Sequence, residues 1–184
     1  MSRIYLLIAA GCVAVSGLCH AANIVLEAES ATELEKPMVL VREASPPEGV
    51  TPVPGASAKA YLAIPQGAGN PPEVDAGKAV FEFDAPKAGL YILWIRAYWD
   101  DSCGNSVGVV INGGAPFMIE DTTYLTWHWV RSPPRLRQLA LPAGRVRLEL
   151  LNREDGIRID QILLTTNKRY IPVDIETATV APSP

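Results

Sequence analysis

The stretch "NIVLEAES" at residues 23 to 30 sets two glutamates, Glu27 and Glu29, on alternate positions of a short apolar run. In an extended chain these positions share one face, roughly 7 Å apart, where like charges repel unless something offsets them. A third acid, Asp160 in "GIRIDQILL", falls in the middle of a run otherwise fit for burial. Calcium takes six to eight oxygen ligands at about 2.3 to 2.6 Å, and two carboxylates of one strand face could close on such an ion while a third arrives from a distant segment. The alternative is equally simple: Glu27 and Glu29 face water, and Asp160 bonds nearby backbone N–H groups.

Aromatic residues form the second group. Trp127 and Trp129 in "TWHW" point the same way if the run is extended, and Trp99 ends a long apolar run beside the loop "DDSCGNS", near Tyr98, Asp100, Asp101 and Asn105. Flat rings that cover apolar C–H faces, with a few polar groups for hydroxyls, are what sugar recognition requires. In a sandwich each tryptophan equally suits the core.

Other chemistries have little material. His20 falls in the leader described below, which leaves His128, so a nucleophilic triad or a histidine-rich metal centre has little material. Acids are plentiful, but no motif marks a glycosidase pair, and the chain is not expected to be an enzyme. Cys103 is alone once Cys12 and Cys19 leave with the leader; its acidic neighbours would raise its pKa rather than activate it.

The 184 residues carry 16 Lys and Arg against 20 Asp and Glu, and 48% are hydrophobic. These values fit one compact domain with an ordinary core and no basic surface for nucleic acid. The opening "MSRIYLLIAAGCVAVSGLCHAA" has a basic residue, an apolar run and small residues near Ala21, the layout of a secretory signal peptide over residues 1–22. A lipoprotein cleavage before Cys12 is the rival reading. Nothing later approaches a membrane span, so the mature chain is expected to be secreted, periplasmic or at the cell surface.

Helical periodicity is almost absent. Short apolar or alternating runs are bounded by Pro, Gly, Asn and Asp, which predicts strands over 24–28, 38–44, 59–65, 78–85, 89–99, 106–111, 116–120, 125–132, 136–141, 145–153 and 157–165. This is an all-β pattern, a β-sandwich or jelly roll of two antiparallel sheets. Period two turns Phe81, Phe83, Tyr91, Leu93, Ile95, Ala97, Val146, Leu148 and Leu150 inward. The other face of the longest strand, Leu90, Ile92, Trp94, Arg96 and Tyr98, is too apolar for open solvent, so chain or ligand should cover it; Arg96 is expected in a structural salt bridge. "SPPEGVTPVPGAS" at 45–57 reads as a long surface loop, and 171–184 as a flexible C-terminal tail after a domain of residues 23–170.

The ordered set "EAES", "GASAKAYLAIP", "AGLYILWIRAYW", "VVINGG", "TWHW", "LPAGRVRLELLNRED" and "GIRIDQILLT" resembles the carbohydrate-binding modules of families 6 and 35 over residues 24 to 166. The resemblance implies a galactose-binding-like jelly roll that binds polysaccharide or glycan without catalysis. It also implies a structural calcium held by Glu27, Glu29 and Asp160, with backbone carbonyls from Ser57 and Ala60. Its sugar site would lie in loops at one end, formed from Trp99, Trp127, Trp129, Asp100 and Asn105. Arg158 stands where an asparagine often contributes, which implies either selection of an acidic sugar or an altered site. A separate glycan-degrading enzyme or an envelope component is the further partner expected. The rival readings are an envelope interaction domain that has lost sugar binding and, after it, a small glycosidase or lyase.

Overall fold

The computed structural model describes residues 23–74, 76–133 and 138–180; the expected leader over 1–22 lies outside them. Two antiparallel sheets face each other. The first joins β1 (Asn23–Glu27), β3 (Val39–Arg42), β4 (Ala60–Ile64), β6 (Gly89–Trp99), β9 (His128–Arg131), β10 (Leu139–Leu141) and β12 (Ile157–Thr165). The second runs β2 (Glu33–Glu35), β5 (Lys78–Ala85), β11 (Gly144–Leu151), β7 (Ser106–Ile111) and β8 (Phe117–Glu120), in that order. Among the described residues the only helical pieces are two 3-10 turns, Ala28–Ser30 and Ser57–Lys59.

Alternation decides the core. Phe81 pairs with Leu148 and Phe83 with Val146 across β5 and β11, and these side chains meet Tyr91, Leu93, Ile95 and Ala97 of β6 between the sheets. Turn chemistry closes the hairpin of β7 and β8: Asn112 and Gly113 take left-handed φ of 49° and 68°, and Gly114 N–H bonds Ile111 O at 2.9 Å.

Strand ends depart from expectation. β1 stops at Glu27 because Ser30 Oγ donates to Glu27 O at 2.6 Å and tightens the chain into a turn, so Glu29 is not on the strand. The strand expected over 125–132 begins only at His128, since Leu125 takes a φ of 58°. β2 was not foreseen: its "ELE" sequence is exposed throughout, and pairing with β5 alone makes it a strand.

The outer face of the first sheet is covered by chain from both sides. The loop between β3 and β4 lies over β4 and β6, with Val53 N–H bonded to Tyr61 Oη at 2.9 Å. The segment expected as a flexible tail is tied to the sheet through residue 180: Thr179 N–H bonds Val25 O at 3.0 Å, and Val25 N–H bonds Thr179 Oγ1 at 2.8 Å.

Trp99 follows the inward alternation of β6 and is fully buried, its indole N–H donating to Asp121 Oδ1 at 3.0 Å. Trp99→Ala should therefore cost about 3 to 5 kcal/mol in urea unfolding. A loss within about 0.5 kcal/mol would place the ring outside the core.

Candidate functional site

Strand β12 carries one extra residue at Asp160. Ile159 pairs with Ala97 and Gln161 with Arg96, so two residues of β12 span one step of β6. This is a β-bulge, and it sends the side chains of Asp160 and Gln161 together to the outer face while Ile159 and Ile162 keep to the core. Asp160 Oδ2 accepts from the Arg96 guanidinium, and Oδ1 accepts from Ser57 N–H at 2.8 Å. Arg96 also donates to Gly55 O at 3.1 Å and lies 5.3 Å from the Trp127 ring centre. The expected salt bridge of Arg96 is thus with the very acid expected to hold metal. Burial pushes the Asp160 carboxyl up to about 6, with Arg96 and the Ser57 N–H opposing the rise.

Glu27 and Glu29 adjoin this pair. Glu27 Oε1 accepts from Ser57 Oγ at 3.0 Å and Gln161 Nε2 at 2.8 Å. Glu27 Oε2 and Glu29 Oε2 are buried with no hydrogen-bond partner among the described residues. Such oxygens cost about 1 to 3 kcal/mol each, more when charged. Burial above all, and then the Glu27 charge, raises the Glu29 carboxyl above its ordinary range. Two orphaned carboxylate oxygens suit a hard divalent cation, so this donor set fits calcium, with Asp160 able to add a free lone pair. The arrangement differs from the expected one in two ways. No group of three or more acids, histidines or cysteines is set to hold a metal among the described residues, and Asp160 is paired with Arg96. The Ser57 carbonyl accepts the Ala60 N–H, while Ala58 and Lys59 take left-handed φ of 48° and 58°. That turn costs roughly 1 to 2 kcal/mol per residue, and Ser57, fixed at both N–H and Oγ, holds it.

Beside the bulge lies a groove of about 310 Å³. Trp94 of β6 with Trp127 and Trp129 from the β9 side make one wall; Ile171, Val173 and Asp174 line the other. Trp129 Nε1 donates to Asp174 O at 2.9 Å and Trp127 Nε1 to Pro54 O at 2.9 Å, so each ring is pinned to one flanking segment. Tyr61 and Tyr98 stand edge-on to Trp127 at 5.5 and 5.6 Å. The three tryptophans stay half-buried, with ring surface left for a partner.

Trp99, Asn105, Asp100 and Arg158, expected at a loop-end site, each bond other groups of the protein. Trp99 cannot stack on a ligand from the core. Asn105 Nδ2 donates to Asp121 O at 2.8 Å, Thr123 N–H to Asp121 Oδ1 at 3.0 Å, and His128 Nε2 lies 3.0 Å from the same oxygen, so these residues brace the loops. Asp100 pairs with Arg158, whose guanidinium stacks 5.2 Å from the Tyr98 ring, so the cation that stands in the asparagine's place is paired within the protein. Trp94 and Gln161 were missed as site residues; Trp94 already stood on the overly apolar face, whereas nothing in sequence marks the bulge that turns Gln161 outward.

No family model matches the sequence. It is similar to uncharacterized protein P23 of Formosa agariphila, 30% identical over 107 residues, covering 50% of this chain and 25% of that protein. The chain thus spans about a quarter of the curated relative it matches. A family 35 carbohydrate-binding module from Clostridium thermocellum superposes with a TM-score of 0.56 at 18% identity, over 77% of this chain and 98% of that one. The fold is that of a family 35 carbohydrate-binding module. The GH26-CBM35 β-(1,4)-mannanase of Podospora anserina gives a TM-score of 0.59 at 22% identity, over 84% of this chain and 30% of that one. An exo-β-1,3-galactanase from Phanerochaete chrysosporium gives 0.56 at 12%, over 78% and 29%. In this fold the tryptophan groove lies on the outer face of the seven-stranded sheet.

The orphaned oxygens make a sign prediction for metal-free protein. A carboxyl raised on folding holds a proton that the unfolded chain has already released, so its ionised form weakens the fold as pH rises above the ordinary carboxylate range. In excess chelator at pH 7, Glu29→Gln should melt higher than wild type, with the gap closing as pH falls toward 4.5. A lower melting temperature for the variant would contradict this.

Proposed function

We propose that this chain is an exported, non-catalytic sugar-binding domain whose binding surface is the groove of Trp94, Trp127 and Trp129, stabilised by a calcium ion at Glu27 and Glu29. The observation that carries the reading is three half-buried tryptophans along one groove, two of them, Trp127 and Trp129, pinned by their indole N–H groups to flanking segments. Indole faces cover the C–H faces of a pyranose, and the polar groups beside them, Arg96 and Asp174, suit its hydroxyls. The groove is shallow and wet, so affinity should be micromolar to millimolar and gain its effect through multivalency or a fused partner. Calcium would be held by Glu27 Oε2 and Glu29 Oε2 with Asp160, tying β1 to β12. The charge of the ion there would meet the two carboxylate oxygens, Glu27 Oε2 and Glu29 Oε2, that lack a hydrogen-bond partner among the described residues.

Titration calorimetry against β-1,4-mannan oligosaccharides, β-1,3-galactan oligosaccharides and oligogalacturonate tests the binding claim; the named neighbours make the first two the natural start. Binding to at least one is expected, and Trp129→Ala and Trp127→Ala should each weaken it tenfold or more, since truncating an aromatic anchor costs about 2 kcal/mol or more. No binding, or affinity unchanged in both variants, overturns the reading. For the metal, chelator should lower the melting temperature by several degrees and added calcium restore it. A melting curve indifferent to both removes calcium from the account.

A further inference from the structure

We infer that the segment 170–176 is a sugar-contacting wall of the groove and that Gln161 is the residue that positions it; the inference rests on the groove being the binding surface. Its backbone is fastened at both ends. Gln161, fully buried, donates from Nε2 to Glu176 O at 2.8 Å and accepts Glu176 N–H on Oε1 at 3.0 Å, gripping both main-chain groups of one residue as a neighbouring strand would. Tyr170 Oη donates to the Glu176 carboxylate at 2.8 Å, and the Trp129 indole N–H holds Asp174 O. Asp174 takes a φ of 50°, a left-handed conformation that Asp adopts more readily than most residues and that turns the chain between the anchors.

Between these anchors the side chains do the opposite of what simple packing requires. Pro172 is buried, whereas Ile171 and Val173 are 71% and 70% exposed, and all three line the groove together with the tryptophans. A strap that served only to cover the sheet would turn its large apolar residues inward. Held rigidly outward, they form an aliphatic wall for the C–H face of a pyranose whose other face lies on indole. A groove of about 310 Å³ is at the small end for ligand sites, which suits a short run of sugar rings clamped between strap and tryptophans.

The test uses the full chain and whichever of the mannan, galactan or galacturonate oligosaccharides binds wild type. The double variant Ile171→Ser, Val173→Ser alters only exposed groups, so its melting temperature should match wild type while affinity falls about tenfold. Gln161→Leu should release the strap, weakening binding and increasing acrylamide quenching of tryptophan emission without sugar. Binding lost in Trp129→Ala but kept at wild-type strength in the strap double variant overturns this inference and leaves the groove reading intact. Absence of binding by wild type overturns both.

Discussion

A single extra residue in β12 fixes the outer face of this domain. The bulge at Asp160 turns two adjacent side chains outward where a regular strand would alternate them, and each takes hold of a different piece of irregular chain. Asp160 holds the Ser57 N–H and, through Arg96, the Gly55 carbonyl, which sets the loop that Trp127 leans on. Gln161 holds both Glu27 and Glu176, and so ties the first strand and the C-terminal strap to one amide. The two walls of the groove are set by neighbouring residues of one strand. Removing a methylene or an amide there should be felt in the groove, though neither side chain reaches a ligand.

The electrostatics of the face follow from the same crowding. Three carboxylates, Glu27, Glu29 and Asp160, share one buried neighbourhood with Arg96 as the cation bonded to Asp160. An ion pair taken out of water recovers its desolvation cost only when its remaining donors and acceptors are satisfied, and Arg96 achieves this through Gly55 O and the Trp127 ring. The glutamates have no such completion. Their open oxygens are what give calcium a place in the account, as a proposal carried by unmet bonding capacity.

The fold was largely legible because period two and turn chemistry are local. Phe81, Phe83, Tyr91, Leu93, Ile95, Ala97, Val146, Leu148 and Leu150 all reached the core as their alternation required. The same rule applied two residues further along β6 would have buried Trp99; its place beside a polar loop suggested exposure, but Asp121 reaches in to satisfy the indole and lets the strand pattern prevail. Glu27 and Glu29 lie close enough for the charge of one to act on the other, but not on one strand, since the Ser30 hydroxyl turns the chain after Glu27. Arg158 could not be assigned from sequence because its partner Asp100 lies across the sheet and not near it in the chain. The strap was illegible for a related reason. Its residues show no strand pattern, and what orders them is one buried amide made available by a bulge that no propensity encodes.

The most direct test of the groove is a proton–nitrogen NMR titration of the four indole N–H groups with the tightest-binding oligosaccharide. Their surroundings differ: Trp99 bonds Asp121, Trp127 bonds Pro54 O, Trp129 bonds Asp174 O, and Trp94 has no partner. The account predicts that the Trp94, Trp127 and Trp129 signals move with sugar while Trp99 stays fixed. Shifts confined to the Asn105, Asp121 and Tyr124 loops, with those three indoles still, would contradict it and return the binding surface to the end of the sandwich.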